Sequence, residues 1–433
     1  MVAQLVEKFS GFKPMAQIAS SVTAALALAL ALALALAGPV AAQSWTLPAF
    51  LGKTSQGSPS LAMGGAGVAV VAFNYTGNSG TAAGTIYEET IQGAQAWTTA
   101  PVAVSSSIDP FNVGVGMDVG GSAFMAFGAG QWDNLPSAYV GCLQSPGAGW
   151  CRGLASYGAT QHPPAVQFFG TSTVTPNTAV YLLAEKCQLV AADTAGGSVG
   201  VLTQAGDCVK TFSLALAPSG TGAAVYKTSV GAIKAVARSA GASGPWGATT
   251  LLAAANTLNA NVSIAAAPSG ETTVAWTVGK SGKPYQVWTA TLSASGIWGP
   301  AVPLATNACD AGIGVATGPN GDTVVAYAAH AKSCEASLAG RPSGGSFNAP
   351  IALTSGAHAK QATAVATAGG NFVVAWSEGP APMIRASTGT LASFSPPQTV
   401  GSYAGAPVLA AAGGYVNAAW CSTSCYASAL VLP

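Results

Sequence analysis

The sequence predicts an all-β protein folded as an eight-bladed β-propeller with four antiparallel strands per blade. Three observations lead to this prediction. A short phrase recurs about every 50 residues, each repeat divides into four short strands, and the two ends of the chain supply complementary parts of one repeat. A seven-bladed propeller is the alternative, because the copies between Phe127 and Tyr226 are irregular.

The recurring phrase is a turn rich in Pro and Gly, followed by small and β-branched residues that end on an aromatic side chain. It reads APSGTGAAVY up to Tyr226, APSGETTVAW up to Trp276 and GPNGDTVVAY up to Tyr327. Further copies end at Phe73, Phe127, Tyr181, Trp376 and Trp420. A period in this range is typical of propellers and solenoids, in which each repeat is one supersecondary unit.

One repeat, residues 261–304, shows the four strands, which we call A to D in chain order. They read VSIAAA, TTVAWTV, YQVWTATL and WGPAVPL. Each segment is rich in Val, Ile, Thr or aromatic residues and is bounded by Gly, Pro or Ser, as short strands are. In a propeller, the D–A and B–C connections share one face and the A–B and C–D connections share the other. We call the first the loop face and the second the turn face.

The ends of the chain are expected to meet. D strands begin with an aromatic residue, at Trp97, Trp150, Trp246, Trp298, Phe347 and Phe394. The D strand of the last repeat would fall beyond Pro433, whereas Trp45 in SWTLPAF begins a segment of this type. We therefore expect the N-terminal strand to close the last blade, which protects the strand edges that an open ring would expose. We interpret the aromatic residues as packing between blades.

The first residues have the order of a secretory signal peptide. Lys8 and Lys13 precede the apolar run Val22–Ala37, and the small residues of GPVAAQ follow. We expect residues 1–42 to be a signal peptide cut after Ala42, and residues 43–433 to form a single propeller domain. A retained membrane anchor is the alternative, although the run is shorter than the roughly 20 residues that a span needs. The expected location is extracellular, periplasmic or on the cell surface.

Composition narrows the class of partner. Only 7% of the residues are charged, and 15 basic and 14 acidic residues leave a net charge of +1. This balance does not favour nucleic acid or an anionic membrane as a partner. We expect a monomer without a membrane span in the mature chain and without a cofactor. We also expect no metal site, since the three histidines share no short spacing typical of ligands.

Eight cysteines fit an oxidising compartment, where an even number usually forms disulfides. A zinc site is the weaker interpretation, because the sequence contains no CxxC motif. The strand assignment brings the cysteines together in local pairs. The predicted bridges are Cys142–Cys151, Cys187–Cys208, Cys309–Cys334 and Cys421–Cys425.

Polar side chains concentrate in the connections assigned to the loop face, and we take this face as the candidate contact surface. The candidate ligand-binding residues are Trp132, Asp133, His162, Glu185, Asp207, Asp310, His330, His358 and Glu378. Trp132 lies in a loop beside Asp133, where an exposed indole could stack on a sugar ring; the alternative is that the indole folds back over the edge of the blade. The alternative is that these loops are polar only because a soluble protein needs a polar surface.

The C–D turn followed by Trp or Phe resembles the Asp-box (BNR) repeats of sialidase-like secreted bacterial β-propellers. An Asp-box has an aspartate five residues before the aromatic residue. Here those positions hold Gln92, Ser145, Gly241, Ser293, Pro342 and Gly389. The resemblance to sialidases also implies an arginine cluster, but the four arginines of this chain are all assigned to C or D strands or their turns, away from the loop face. The resemblance therefore carries architecture and not activity.

Two functions remain open from the sequence. The first is a non-catalytic module that binds a glycan, a surface polymer or a protein through the loop face. The second is a sialidase-like or other glycoside hydrolase or lyase, which would need two carboxylates of that face to converge. Its candidate acids are Asp133, Glu185, Asp207, Asp310 and Glu378.

Overall fold

The computed structural model describes most of the chain from Ser44 to Leu432. The described ranges are 44–53, 59–65, 68–75, 85–92, 102–103, 109–130, 137–143, 150–151, 165–170, 178–185, 187–193, 200–241, 244–254, 261–279, 284–309, 312–329, 334–355, 358–379, 383–402 and 405–432. The expected signal segment, residues 1–42, lies outside these ranges. The unit described below is Trp45–Leu432.

The described residues form an all-β structure with a β-propeller arrangement and no helix. Thirty-two strands pair antiparallel in six four-stranded sheets and one eight-stranded sheet. The eight-stranded sheet consists of two groups of four strands joined by a single residue pair, Ala308 with Ala329. None of the described residues forms a helix long and apolar enough to cross a bilayer.

We number the four-strand groups 1 to 8 along the chain, each in the order A to D. Group 1 contains β2 (Ser60–Met63), β3 (Val68–Tyr75), β4 (Thr85–Gln92) and β5 (Val102–Ala103). Group 2 contains β6 (Asp109–Met117), β7 (Ala123–Gly130), β8 (Ser137–Leu143) and β9 (Trp150–Cys151). Group 3 contains β10 (Ala165–Phe169), β11 (Thr178–Glu185), β12 (Gln188–Asp193) and β13 (Gly200–Val201). Group 4 contains β14 (Val209–Leu216), β15 (Gly222–Thr228), β16 (Ile233–Arg238) and β17 (Trp246–Ala253).

Groups 5 and 6 are the two halves of the eight-stranded sheet. Group 5 contains β18 (Val262–Ala266), β19 (Thr272–Val278), β20 (Tyr285–Leu292) and β21 (Val302–Ala308). Group 6 contains β22 (Gly314–Thr317), β23 (Thr323–Ala329), β24 (Glu335–Arg341) and β25 (Ile351–Ala352). Group 7 contains β26 (Ala359–Ala366), β27 (Phe372–Glu378), β28 (Met383–Gly389) and β29 (Gln398–Gly401). Group 8 contains β30 (Val408–Ala412), β31 (Tyr415–Cys421), β32 (Ser424–Val431) and, as its D strand, β1 (Ala49–Lys53).

The recurring phrase forms the A–B hairpin of each group. In group 5 the turn closes with hydrogen bonds from Ala267 N to Glu271 O (2.7 Å) and from Gly270 N to Ala267 O (2.9 Å). Gly270 has a φ of +92°, which only glycine adopts at little cost. The β-branched residues that follow then pair as the B strand, as the sequence predicts.

The D strand of the same group begins later than predicted. The sequence places its start at Trp298, but β21 begins at Val302, and Trp298 makes only an isolated bridge to Leu292. Pro300 lies between Trp298 and Val302 and has no backbone N–H to donate, so regular strand pairing begins only after Pro300.

The A strands lie side by side at the centre of the arrangement. Each A strand contacts the A strand of the next group, from β2 to β30, and β30 contacts β2. Serine side chains support this contact: Ser60 Oγ accepts a hydrogen bond from Val115 N (2.9 Å), and Ser263 Oγ accepts one from Val315 N (3.1 Å). These bonds join consecutive groups through their A strands.

The first described strand completes the last group. β1 pairs with β32, with Phe50 opposite Tyr426, and Trp45 forms a bridge to Leu430. The rings of Phe50 and Tyr426 meet edge to face with their centroids 5.7 Å apart. The N-terminal segment therefore takes the D position that the end of the chain leaves open.

The core lies between the groups. The described side chains of the B strands are mostly buried, and their aromatic residues are among the largest fully buried side chains: Trp276, Trp376, Trp420, Tyr226, Tyr327 and Phe73. Trp376 packs in one cluster with Val324 and Leu338 of the preceding group, and Trp276 packs with Val225 and Ile233 of its own predecessor. These aromatic side chains fill the space between neighbouring sheets and contribute much of the apolar surface buried there.

Candidate binding surface

The structure describes only part of the site residues predicted on the loop face. Trp132, Asp133, His162, Asp310 and His330 lie outside the described residues, and Glu185 ends β11 with its side chain outside the described part. The structure describes the side chains of Asp207, His358 and Glu378, all of which lie in or beside D–A or B–C connections.

Asp207 is held in a network of polar side chains. Lys234 Nζ donates to both of its carboxylate oxygens (2.8 and 2.9 Å), and the Tyr226 hydroxyl donates to Oδ2 (3.0 Å). Lys234 also donates to Gln204 Oε1 (2.9 Å), so the D–A connection is fastened to group 4. Burial, reinforced by Asp207, raises the pKa of the Tyr226 hydroxyl above its usual value. Asp207 therefore anchors its loop as a paired carboxylate.

Glu378 is paired in the same way in group 7. Arg385 Nε donates to Glu378 Oε2 (2.9 Å), and Arg385 Nη1 donates to Thr399 Oγ1 (2.5 Å). The sequence assignment kept all arginines away from the loop face, and Arg385 shows that this was wrong. Residue 385 is the third residue of a C strand, and the hairpin register places it close to the end of the B strand that carries Glu378.

The structure brings His358 next to Glu378. The carbonyl oxygen of His358 accepts a hydrogen bond from Gly379 N (3.1 Å), and Ala359 is the strand partner of Glu378. His358 is exposed, so its imidazole is open to a ligand. Asp207 belongs to group 4 and does not share this location.

Asp207 and Glu378, the two candidate acids whose side chains the structure describes, lie beside different groups, and each forms an ion pair with a nearby cation. A retaining or inverting glycosidase needs two carboxyl groups that face each other across the substrate. Within the part of the chain that the structure describes, no group of His, Cys, Asp and Glu residues could hold a metal ion either.

Three disulfides brace the loop face. Cys187–Cys208 and Cys309–Cys334 each join a B–C connection to a D–A connection, and Cys421–Cys425 closes the B–C turn of group 8. These are three of the four pairs that the sequence predicts. For the fourth, Cys142 and Cys151 are strand partners in β8 and β9, but their side chains lie outside the described part.

Among the residues that the structure describes, two clefts lie between groups, at places where the sequence predicted no site. The first, of about 540 Å³, separates the D strands of groups 3 and 4 and is lined by residues that include Asp193, Thr203 and Trp246. Its two walls are joined by a hydrogen bond from Thr249 Oγ1 to Leu202 O (3.1 Å).

The second cleft, of about 420 Å³, lies between groups 5 and 6 and is lined by residues that include Thr289, Arg341 and Phe347. The guanidinium of Arg341 lies 5.5 Å from the centroid of the Phe347 ring. Arg341 also pairs with Glu271 and donates to Thr273 Oγ1 (2.8 Å), both in the preceding group.

A sequence signal could have identified both clefts. Arg238 and Arg341 each end a C strand shortly before the aromatic residue that opens the D segment, Trp246 and Phe347. From the sequence, the predicted role of these aromatic residues is packing between blades. The contact across groups could not be anticipated, because Glu271 and Arg341 are 70 positions apart.

Comparison with known proteins shows a similarity of fold but does not assign this chain to a family. No family model and no curated protein sequence matches the chain. Among solved structures, the chain is similar to the BP39L lectin from Burkholderia pseudomallei, at 14% identity over 81% of this chain and 100% of that one, with a TM-score of 0.53. It is also similar to the WD40 domain of SCAP from fission yeast (9% identity, 89% and 98% covered, TM-score 0.46) and to the sialidase NanB (8% identity, 66% and 65% covered, TM-score 0.42).

Proposed function

We propose that this protein is an exported, non-catalytic β-propeller that binds a glycan through its loop face. The observation that carries the proposal is the position of the described disulfides, all of which brace this face. Covalent bracing holds loops in one conformation before a ligand arrives, which reduces the conformational entropy lost on binding. The Asp207–Lys234 pair adds a further anchor to the same set of connections.

The proposal includes an eight-bladed ring closed by the N-terminal strand. Its support is the cycle of contacts among the A strands, which runs through all the four-strand groups and returns from β30 to β2. The pairing of β1 with β32 completes group 8 with a strand from the other end of the chain. Such a ring places the loop-face connections of all groups around one central opening.

Export follows from the proposed signal peptide, residues 1–42, and agrees with the disulfides, which persist in oxidising compartments. A glycan is the favoured ligand because the loops carry polar groups and Trp132, whose indole could stack on a sugar ring if it is exposed, and because this chain shares its fold with a lectin. Ion pairing supports a non-catalytic role, since Asp207 and Glu378 are each matched by a cation.

A glycan array with the mature chain, residues 43–433, tests the proposal. We expect binding to a defined set of glycans, without release of reducing sugar during prolonged incubation. His358→Ala and Trp132→Ala on the loop face should weaken that binding, whereas Asp322→Asn in a turn-face hairpin should not. Binding to no glycan, with capture of a protein instead, would replace the glycan by a protein partner. Hydrolysis of a bound glycan would contradict the non-catalytic role.

A further inference from the structure

The two clefts between groups occupy equivalent positions in the fold. Arg238 ends β16 opposite Gly222, the first residue of β15, and Arg341 ends β24 opposite Thr323, the first residue of β23. In each case the cleft is lined by the aromatic residue that follows this arginine, Trp246 in the first and Phe347 in the second. The same arrangement is thus built at two boundaries of the ring.

Neighbouring boundaries carry the aromatic residue without the arginine. In group 5 the position of the arginine is taken by Leu292, which bridges to Trp298, and in group 7 it is taken by Gly389, which bridges to Phe394. An arginine at the end of the C strand is therefore not needed to position the aromatic residue that opens the D segment. The arginine is thus a feature that the boundaries of these two clefts share.

The charge of each arginine is offset by an acid of the preceding group. Glu271 forms an ion pair with Arg341, and the carboxylate of Asp193 favours the charged form of Arg238, whose pKa burial lowers. Each cleft therefore combines a flat aromatic face and polar groups with little net charge. This combination favours a neutral ligand rich in hydroxyl groups over an anion or a cation.

Each cleft is also lined by a residue that has a buried hydrogen-bonding atom without a partner. In the first cleft this atom is Oγ1 of Thr203, and in the second it is Nε of Arg341. Arg341 as a whole is only 5% exposed. Buried polar atoms are usually satisfied in folded proteins, so a ligand in the cleft is one partner that such an atom could acquire.

From these observations we propose that the two clefts are equivalent binding sites for a neutral sugar ring, distinct from the ligand-binding residues predicted on the loop face. The aromatic side chain stacks against the C–H face of the ring, and the polar atoms of the walls bind its hydroxyl groups. Their volumes, about 540 and 420 Å³, lie within the range of small-molecule sites. Two sites on one chain would also let the protein hold a repetitive polysaccharide with greater avidity than either site alone.

Calorimetric titration of the mature chain with a panel of neutral methyl glycosides tests this proposal. We expect one member of the panel to bind with a stoichiometry of two. Phe347→Leu and Trp246→Leu keep an apolar side chain but remove the aromatic face, and each should weaken one site by about tenfold or more, so that the stoichiometry falls to one. The double variant should show no measurable site.

Matched controls are Phe394→Leu and Trp298→Leu, which change the same structural position at boundaries without the arginine. These should retain two sites, and the thermal midpoint of every variant shows whether it is folded. The proposal is overturned if the double variant still binds the glycoside or if the unchanged chain binds it with a stoichiometry of one. It is also overturned if no neutral glycoside binds. Loss of binding in the loop-face variants alone would instead bear on the proposed function, since those residues do not line the clefts.

Discussion

The ion pair between Glu271 and Arg341 joins groups 5 and 6, and its removal should destabilise the propeller measurably. Only 6% of the Arg341 side chain and 22% of the Glu271 side chain are exposed. Breaking a fully buried pair costs about 3–5 kcal/mol because the remaining charge is left unpaired. Since Glu271 keeps some contact with water, we expect Glu271→Ala to cost about 2 kcal/mol.

This cost converts into a shift of the thermal midpoint. A folded unit of about 390 residues has an unfolding entropy of roughly 0.8 kcal/mol/K, so 2 kcal/mol lowers the midpoint by about 2–3 °C. Differential scanning calorimetry can measure this shift. Asp322→Ala is the matched control, because Asp322 holds the equivalent hairpin position but accepts only from Ser343 N (3.1 Å).

A double variant separates the cost of leaving the Arg341 guanidinium unpaired from the cost of losing its contact with Glu271. Arg341→Met in the Glu271→Ala background removes the unpaired guanidinium and should restore part of the lost stability, because apolar replacement of a buried ion pair is often neutral or stabilising. The reasoning is refuted if Glu271→Ala lowers the midpoint no more than Asp322→Ala does. It is also refuted if the double variant is less stable than Glu271→Ala alone.

Three further predictions concern stability. Replacing both cysteines of the Cys309–Cys334 bridge should cost about 3.5 kcal/mol, against about 2 kcal/mol for Cys421–Cys425, because it closes the longer loop; denaturant titration giving the reverse order would contradict this. Burial raises the pKa of Tyr327, so its contribution is complete below about pH 10 and falls by roughly 1.4 kcal/mol per pH unit above it. Tyr327→Phe should flatten the alkaline loss in a series of thermal midpoints, and an unchanged slope would refute that cause. A mature chain that starts after β1 should unfold at lower temperature and aggregate through the exposed edge of β32, and a monodisperse chain with an unchanged midpoint would contradict the closure.

Much of the architecture could be predicted because its signals are local. The recurring phrase ends on an aromatic residue such as Trp276, which lies near the end of a B strand, and the hairpin before it folds within the same phrase. Trp45 could be assigned to the last group because its segment matches the D segments elsewhere. The start of β21 could not be placed as well, since an aromatic residue marks the D segment while Pro300 delays regular pairing.

The sites were less accessible to sequence reasoning because they depend on register and on contacts between groups. Asp207 could be assigned to a loop, but its partner Lys234 follows from the position of β16 in the sheet. Arg385 was assigned to a strand and so away from the loop face, although it lies near the start of a C strand, where the hairpin register brings it close to Glu378. The second cleft is lined by Arg341 and by residues of the preceding group. No local sequence pattern predicts that these residues lie close together.

Binding of sugars by the mature chain is the most direct test of the whole account. We predict that the mature chain retains specific glycans on an array and that its two clefts bind a neutral glycoside in calorimetry, with Trp246→Leu and Phe347→Leu each removing one site. A folded, monodisperse protein that binds neither a glycan on the array nor a neutral glycoside in solution would contradict it.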